Sequence, residues 1–167
     1  MECGMEYRRK TRIGVMGPGE CTQPVWNLAF EVGQEIGRRG GILICGGRGG
    51  VMEAAAQGAR VAGALTVGIL PGTGPEEANP YIDLPIVTDL GNARNVINVM
   101  TAQAIIAIHG GYGTLSEIGL ALKVGTPVVG LETWSIIPPG ENAPSGILVA
   151  RTPVEAVALA FDLAQKG

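Results

Sequence analysis

Two charged residues stand where an α/β chain does anion chemistry. Arg94 follows Gly91, Asn92 and Ala93 just before an apolar helical segment. Asn92 there is expected to be an N-cap, which puts Arg94 in the first turn of the helix, where the macrodipole disfavours a cation by a few tenths of a kcal/mol or more. An anion bound at that helix end would explain the arginine, and a solvated side chain snorkelling away is the alternative. Glu117 closes the run Thr114-Leu115-Ser116-Glu117. This pattern fits a capping box, with Glu117 bonding back to the Thr114 N–H. The competing reading, which pattern alone places second, is an acid/base or a binder of ligand hydroxyls at the mouth of a crevice.

Four glycine-rich turns supply the setting: Gly17-Pro18-Gly19, Gly46-Gly47-Arg48-Gly49-Gly50, Pro71-Gly72-Thr73-Gly74-Pro75 and His109-Gly110-Gly111-Tyr112-Gly113. Glycine lets backbone N–H groups approach an anion, and a helix N-terminus just beyond adds positive partial charge. Arg48, set among four glycines, is a second candidate anion contact, or else an exposed turn residue. The expected phosphate or ligand contacts are therefore Gly17, Pro18, Gly19, Gly46, Gly47, Arg48, Asn92, Arg94, Gly110, Gly111, Tyr112, Gly113 and Thr114.

The elements that must position these residues follow from apolar runs. Strands are expected over 12–16, 42–45, 65–70, 85–88, 104–108, 127–131 and 147–150. Helices are expected after Thr22 as N-cap and over 51–62, 93–101, 115–124 and 153–165. Strands that are continuously apolar are buried on both faces, and their alternation with helices implies right-handed crossovers. The fold expected is one doubly wound, Rossmann-like α/β domain over 1–167, with a mainly parallel sheet, helices on both faces and a loose N-terminal segment at 1–10. The first turn, the Asn92 helix start and the Gly110 turn should meet where strand order reverses. The long loop over 132–146, with Pro138, Pro139 and Pro144, is near the length at which loops are functional or mobile.

Composition excludes other classes. The chain has 167 residues, one domain's worth, and its 27 glycines have no period of three while 46% of residues are apolar, so neither collagen nor disorder fits. A net charge of −3 supplies no basic field for nucleic acid. No P-loop is present, since none of Lys10, Lys123 and Lys166 follows a glycine, and Gly17-Pro18-Gly19 lacks the third glycine of a dinucleotide fingerprint. No serine lies in G-x-S-x-G. Cys3, Cys21 and Cys45, with His109 as the one histidine, have no zinc spacing and suit a reducing cytosol. With no apolar run of membrane length and no signal-peptide pattern, a cytoplasmic protein without membrane attachment is expected.

The run Gly110-Gly111-Tyr112-Gly113-Thr114-Leu115-Ser116-Glu117, with Arg94 sixteen residues before Gly110, resembles the GGxGTxxE motif and arginine of the LOG-like proteins, once labelled "possible lysine decarboxylases". The resemblance implies a Rossmann-like fold. In the cytokinin-activating members it implies hydrolysis of a nucleoside 5′-monophosphate, with Arg94 and Glu117 at the catalytic positions and no cofactor. Those hydrolases carry M-H-x-R-K around the arginine, where this chain has Gly91-Asn92-Ala93-Arg94-Asn95, and usually a proline where it has His109. The segments Gly14-Val15-Met16-Gly17-Pro18-Gly19, Gly46-Gly47-Arg48, Gly50-Val51-Met52-Glu53 and Leu90-Gly91-Asn92-Ala93-Arg94 look closer to the molybdenum-cofactor carrier branch. That branch binds a phosphorylated pterin cofactor without cleaving it. The expected function is thus binding of a small nucleotide-like phosphorylated ligand, the molybdenum cofactor or a nucleoside monophosphate, with phosphoribohydrolase activity as the alternative. Lysine decarboxylation is not expected, because no lysine falls within the site for a pyridoxal Schiff base. A homodimer or higher homo-oligomer is expected from the helix holding Val96, Ile97, Val99 and Met100, apolar on more than one side, and from the resemblance.

Overall fold

Seven apolar runs become strands; the five inner ones are buried on both sheet faces, while the two edge strands, Leu84–Val87 and Ile147–Ala150, leave Leu84, Ile86, Val87, Leu148 and Val149 exposed, so the expected burial on both faces does not extend to the sheet edges. A computed structural model describes residues 10–166. In chain order the elements are β1 (Arg12–Met16), α1 (Gln23–Arg38), β2 (Ile42–Cys45), α2 (Val51–Val61), β3 (Thr66–Leu70), β4 (Leu84–Val87), α3 (Asn95–Thr101), β5 (Ala104–Ile108), α4 (Tyr112–Val124), β6 (Val128–Leu131), β7 (Ile147–Ala150) and α5 (Pro153–Ala164). The expected loose segment at 1–10 and Cys3 lie outside the described residues, save Lys10.

All seven strands pair in parallel, in the order β4-β3-β2-β1-β5-β6-β7. From β1 the chain winds outward to β4, then crosses back to lay β5 against the other side of β1, with Val15 opposite Ile106. The strand order therefore reverses between β1 and β5, and the Rossmann-like architecture expected from the sequence is present. Alternate residues of β5 feed different layers. Ala104, Ile106 and Ile108 join the cluster formed with α1, α2 and α5, while Ile105 and Ala107 join Val99 of α3 and Ile118 and Ala121 of α4. No helix among the described residues is long and apolar enough to cross a membrane.

Three local expectations are corrected. Thr22 occupies the N-cap position of α1, but its side chain makes no capping hydrogen bond. Asn92 caps no helix: residues Gly91–Arg94 form a 3-10 turn, and α3 begins only at Asn95, with Arg94 itself in the cap position. Helix α4 begins at Tyr112 instead of 115, because Gly111 is extended (φ −97°, ψ −158°) and serves as its N-cap. Thr114 thus lies inside the helix and cannot head a capping box.

Candidate functional site

The β1–β5 reversal leaves a crevice at the carboxyl ends of the strands, since the loops leaving β1 and β5 diverge to opposite faces there. A cavity of about 320 Å³ occupies it, within the range of small-molecule sites. Gly17, Pro18 and Gly19 wall it after β1, Gly46 after β2, Met52 from α2, and Asn92, Arg94 and Asn95 from the start of α3; Gly111, Gly113, Thr114 and Glu117 of α4 complete it.

Arg94 is the cation of this cavity, and it is buried, only 9% exposed; the snorkelling alternative does not hold. Its Nη1 donates to Asn95 Oδ1 (3.2 Å) and lies 3.8 Å from Glu117 Oε1. A Cβ at Gly46 would overlap its guanidinium, so glycine at the end of β2 is what allows Arg94 to lie flat against the backbone. Burial pulls its affinity for a proton down and the Glu117 carboxyl pushes it up; an arginine remains charged.

Glu117 is 6% exposed, and Asn98 Nδ2 donates to its Oε1 at 3.0 Å. Burial drives the carboxyl up to about 7, against the opposing pull of the Asn98 hydrogen bond and of Arg94. The side chain turns toward α3 and not to its own helix end, so of the two readings the capping box is excluded. Asn95 Nδ2 donates to Ser116 Oγ (3.0 Å), and Ser116 Oγ to the Gly113 carbonyl (2.7 Å), joining α3 to the first turn of α4. Arg94 Nε, Asn98 Oδ1 and Thr114 Oγ1 are buried with no hydrogen-bond partner among the described residues.

Other expected contacts fall outside the cavity. Gly47 donates its N–H to Cys45 Sγ (3.3 Å). Arg48, with its side chain half exposed, pairs with Glu77 Oε2 at 3.4 Å, which makes it a surface ion pair of small energetic consequence. Gly110 (φ 126°) packs on Thr114 and shapes the turn without lining the cavity. Tyr112 is 84% exposed and leans on Trp134, the ring centroids 6.3 Å apart. The turn over 71–75 is also absent from the cavity. The Glu77 and Glu76 carboxylates fold over Gly72 and Gly74, and the Thr73 N–H bonds Glu77 Oε1 (3.1 Å). Cys45 is fully buried, and burial pushes its thiol up to about 12, which leaves it an inert core residue. His109 has φ 52°, a conformation closed to the proline usual at this position.

Sequence reasoning missed Asn95 and Asn98. Two asparagines three apart among Val96, Ile97, Val99 and Met100 of a short helix are the signal that would have found them, since buried amides require partners.

Residues 10–157 match the SLOG cluster4 family. The chain belongs to this family. Among solved structures, the SLOG cluster4 chain is similar to the molybdenum cofactor binding protein of Rippkaea orientalis, with a TM-score of 0.83 and 39% identity over 93% of this chain and 98% of that one. It is similar also to the molybdenum cofactor carrier protein of Chlamydomonas reinhardtii, with a TM-score of 0.81 and 38% identity over 94% and 99% of the two chains. The cytokinin riboside 5′-monophosphate phosphoribohydrolase of Mycobacterium tuberculosis is 37% identical over 116 residues, which are 64% of this chain and 62% of the relative. The LOG-like resemblance of the sequence is thereby borne out.

Proposed function

We propose that this SLOG cluster4 protein binds a small nucleotide-like phosphorylated ligand and is of the molybdenum-cofactor carrier type. The observation that carries this reading is the buried Arg94 guanidinium in the same cavity as the start of α4. That helix begins at a glycine with no side-chain cap, so its first N–H groups keep their capacity for an anion. Together they favour a phosphate of a ligand whose remaining atoms extend along Gly17–Gly19 and Met52. Likeness along nearly the whole chain to two proteins named for binding or carrying the molybdenum cofactor supports that ligand class. The proposal includes no metal and no catalytic cofactor, and it places the protein in the cytoplasm.

Calorimetry with nucleoside monophosphates and, anaerobically, with molybdenum cofactor tests the reading. Arg94→Ala is expected to lose about 1.5–3 kcal/mol of binding free energy, the usual worth of a charge-assisted contact. Unchanged affinity would remove Arg94 from the ligand site.

One observation favours the alternative, phosphoribohydrolase reading. Glu117, near neutral in affinity for its proton and beside Arg94, has the character of an acid/base next to a phosphate anchor. Against it stands Asn95 where the hydrolase motif has lysine. A base-release assay on AMP separates the two: binding without release is expected, and release that disappears in Glu117→Ala would replace carriage by hydrolysis.

A homo-oligomer is part of the proposal. Val96 and Met100, on α3, are 45% and 64% exposed, an apolar surface that a second copy would cover. Sedimentation at micromolar concentration is expected to give at least twice the 17.2 kDa of the chain; a monomer would overturn this.

A further inference from the structure

Among the described residues, Arg94 and Glu117 are the only ionisable side chains lining the cavity at the β1–β5 reversal. Both are nearly sealed from solvent, their side chains 11% and 8% exposed, and Arg94 Nη1 lies 3.8 Å from Glu117 Oε1. An acceptor bonded to Nη1 at about 2.9 Å is therefore within about 7 Å of Oε1. Where a ligand's anion meets Arg94, it meets Glu117 as well. Two like charges so close in a buried site disfavour each other strongly, and one of them takes up a proton. The anion has Arg94 and the uncapped N–H groups of α4 to hold its charge, whereas Glu117 has one hydrogen bond, from Asn98 Nδ2, so the proton goes to Glu117. The other groups around it do not take this role. β5 and β6, also packed on α4, carry no charged side chain, and β1 brings Val15 and Met16 to the cavity. Cys45 at the end of β2 is kept protonated by burial, and Arg48, whose field reaches Arg94, pairs with Glu77. His109 and Tyr112, at the turn into α4, do not line the cavity, and Lys123 lies in the last turn of that helix.

We propose that Glu117 is a proton-controlled competitor of the ligand for Arg94: ionised, it neutralises the guanidinium; protonated, it frees Arg94 for an anion, so that binding takes up one proton from solvent. This rests on Arg94 being the anion site and adds the regulation of that site. Burial already holds the carboxyl up to about 7, so the exchange falls near neutral pH. The protein then retains its ligand on the acid side of neutrality and releases it as pH rises.

Inorganic sulfate is the first probe, because it stays ionised throughout this range and any pH dependence belongs to the protein. AMP is the second, used at pH 8, above the value of about 6 at which its phosphate titrates. Sulfate affinity is expected to fall about tenfold from pH 6 to pH 8, the change for a carboxyl titrating at about 7 that must be neutral in the complex. Calorimetry of AMP at pH 8 in buffers of different ionisation enthalpy should show most of one proton taken up. Glu117→Gln should abolish both the slope and the uptake. His109→Asn, a change that the left-handed backbone at φ 52° accepts, should keep both, which excludes the single histidine as their source even if Glu117→Gln folds poorly. Anion binding that depends on Arg94 but is flat with pH and takes up no proton overturns the proposal and leaves the anion site standing. A slope that persists in Glu117→Gln, or disappears in His109→Asn, overturns it as well. If neither sulfate nor AMP binds at any pH, or if binding survives Arg94→Ala, the anion site itself fails and the proposal with it.

Discussion

Gly58→Val is expected to destabilise the protein by about 3 kcal/mol or more, the upper part of the range for overpacking. Helices α1 and α2 meet backbone to backbone at two glycines. A Cβ on Gly58 would overlap the Phe30 carbonyl oxygen, and a Cβ on Gly33 would overlap that of Ala55. Both neighbours are main-chain atoms inside helices, so neither can step aside as a flexible side chain would. The helices must separate, which opens space among Ala29, Val32, Ala54, Ala55 and Ala59, all fully buried, and loses their close-packed contacts as well. For a chain of this size the melting temperature should fall by roughly 6–12 °C. Gly119→Ala is the control: it lies in α4 with open space where a Cβ would go, and is expected to be neutral or stabilising by up to ~1 kcal/mol. A Gly58→Val melt within 2 °C of the native protein would show that the two helices do not pack as described.

Glu117→Gln is expected to change how stability depends on pH. In the unfolded chain the carboxyl titrates near 4.5; in the folded protein burial holds it up to about 7. Below pH 4.5 both states are protonated, and the contribution of the buried neutral acid is fully present. As pH rises from 4.5 to 7 the unfolded state gives up its proton while the folded state keeps it, so stability falls, levelling off above 7. The loss amounts to about 3 kcal/mol. Glutamine keeps an oxygen to accept from Asn98 Nδ2 and has no proton to release. Relative to the native protein, the variant should therefore gain about 3 kcal/mol between pH 4.5 and pH 8 in urea unfolding. A constant difference across that range would mean the carboxyl titrates at its ordinary value and is ionised beside Arg94 throughout.

Much of the fold was legible because it is written in local pattern. Apolar runs such as Ile42–Cys45 and Ala104–Ile108 can be satisfied only by burial on both faces, which requires parallel strands covered by helices. Arg94 was legible as chemically misplaced, a cation at a helix start, and Glu117 as an acid beside a glycine turn whose pattern fitted either a cap or a ligand contact. Chain order alone also identifies the strand order's reversal as the place where the turns after β1 and β5 converge.

What local pattern left open was decided by contacts between distant residues. Thr114-Leu115-Ser116-Glu117 is compatible with a cap or a buried acid. The choice fell to Asn98, nineteen residues away, whose amide needs an acceptor within the interface of α3 and α4. The four glycine turns are equivalent by composition. Three reach the cavity because β2 and β5 flank β1, whereas the turn after β3 lies one strand further out and closes on its own glutamates. Arg48 was drawn to Glu77 by proximity across that turn. Sequence fixes which residues can be buried and which turns can bend, because those depend on side-chain chemistry and neighbouring backbone; which of them share a cavity depends on strand order and helix packing, and exists only once the chain has folded.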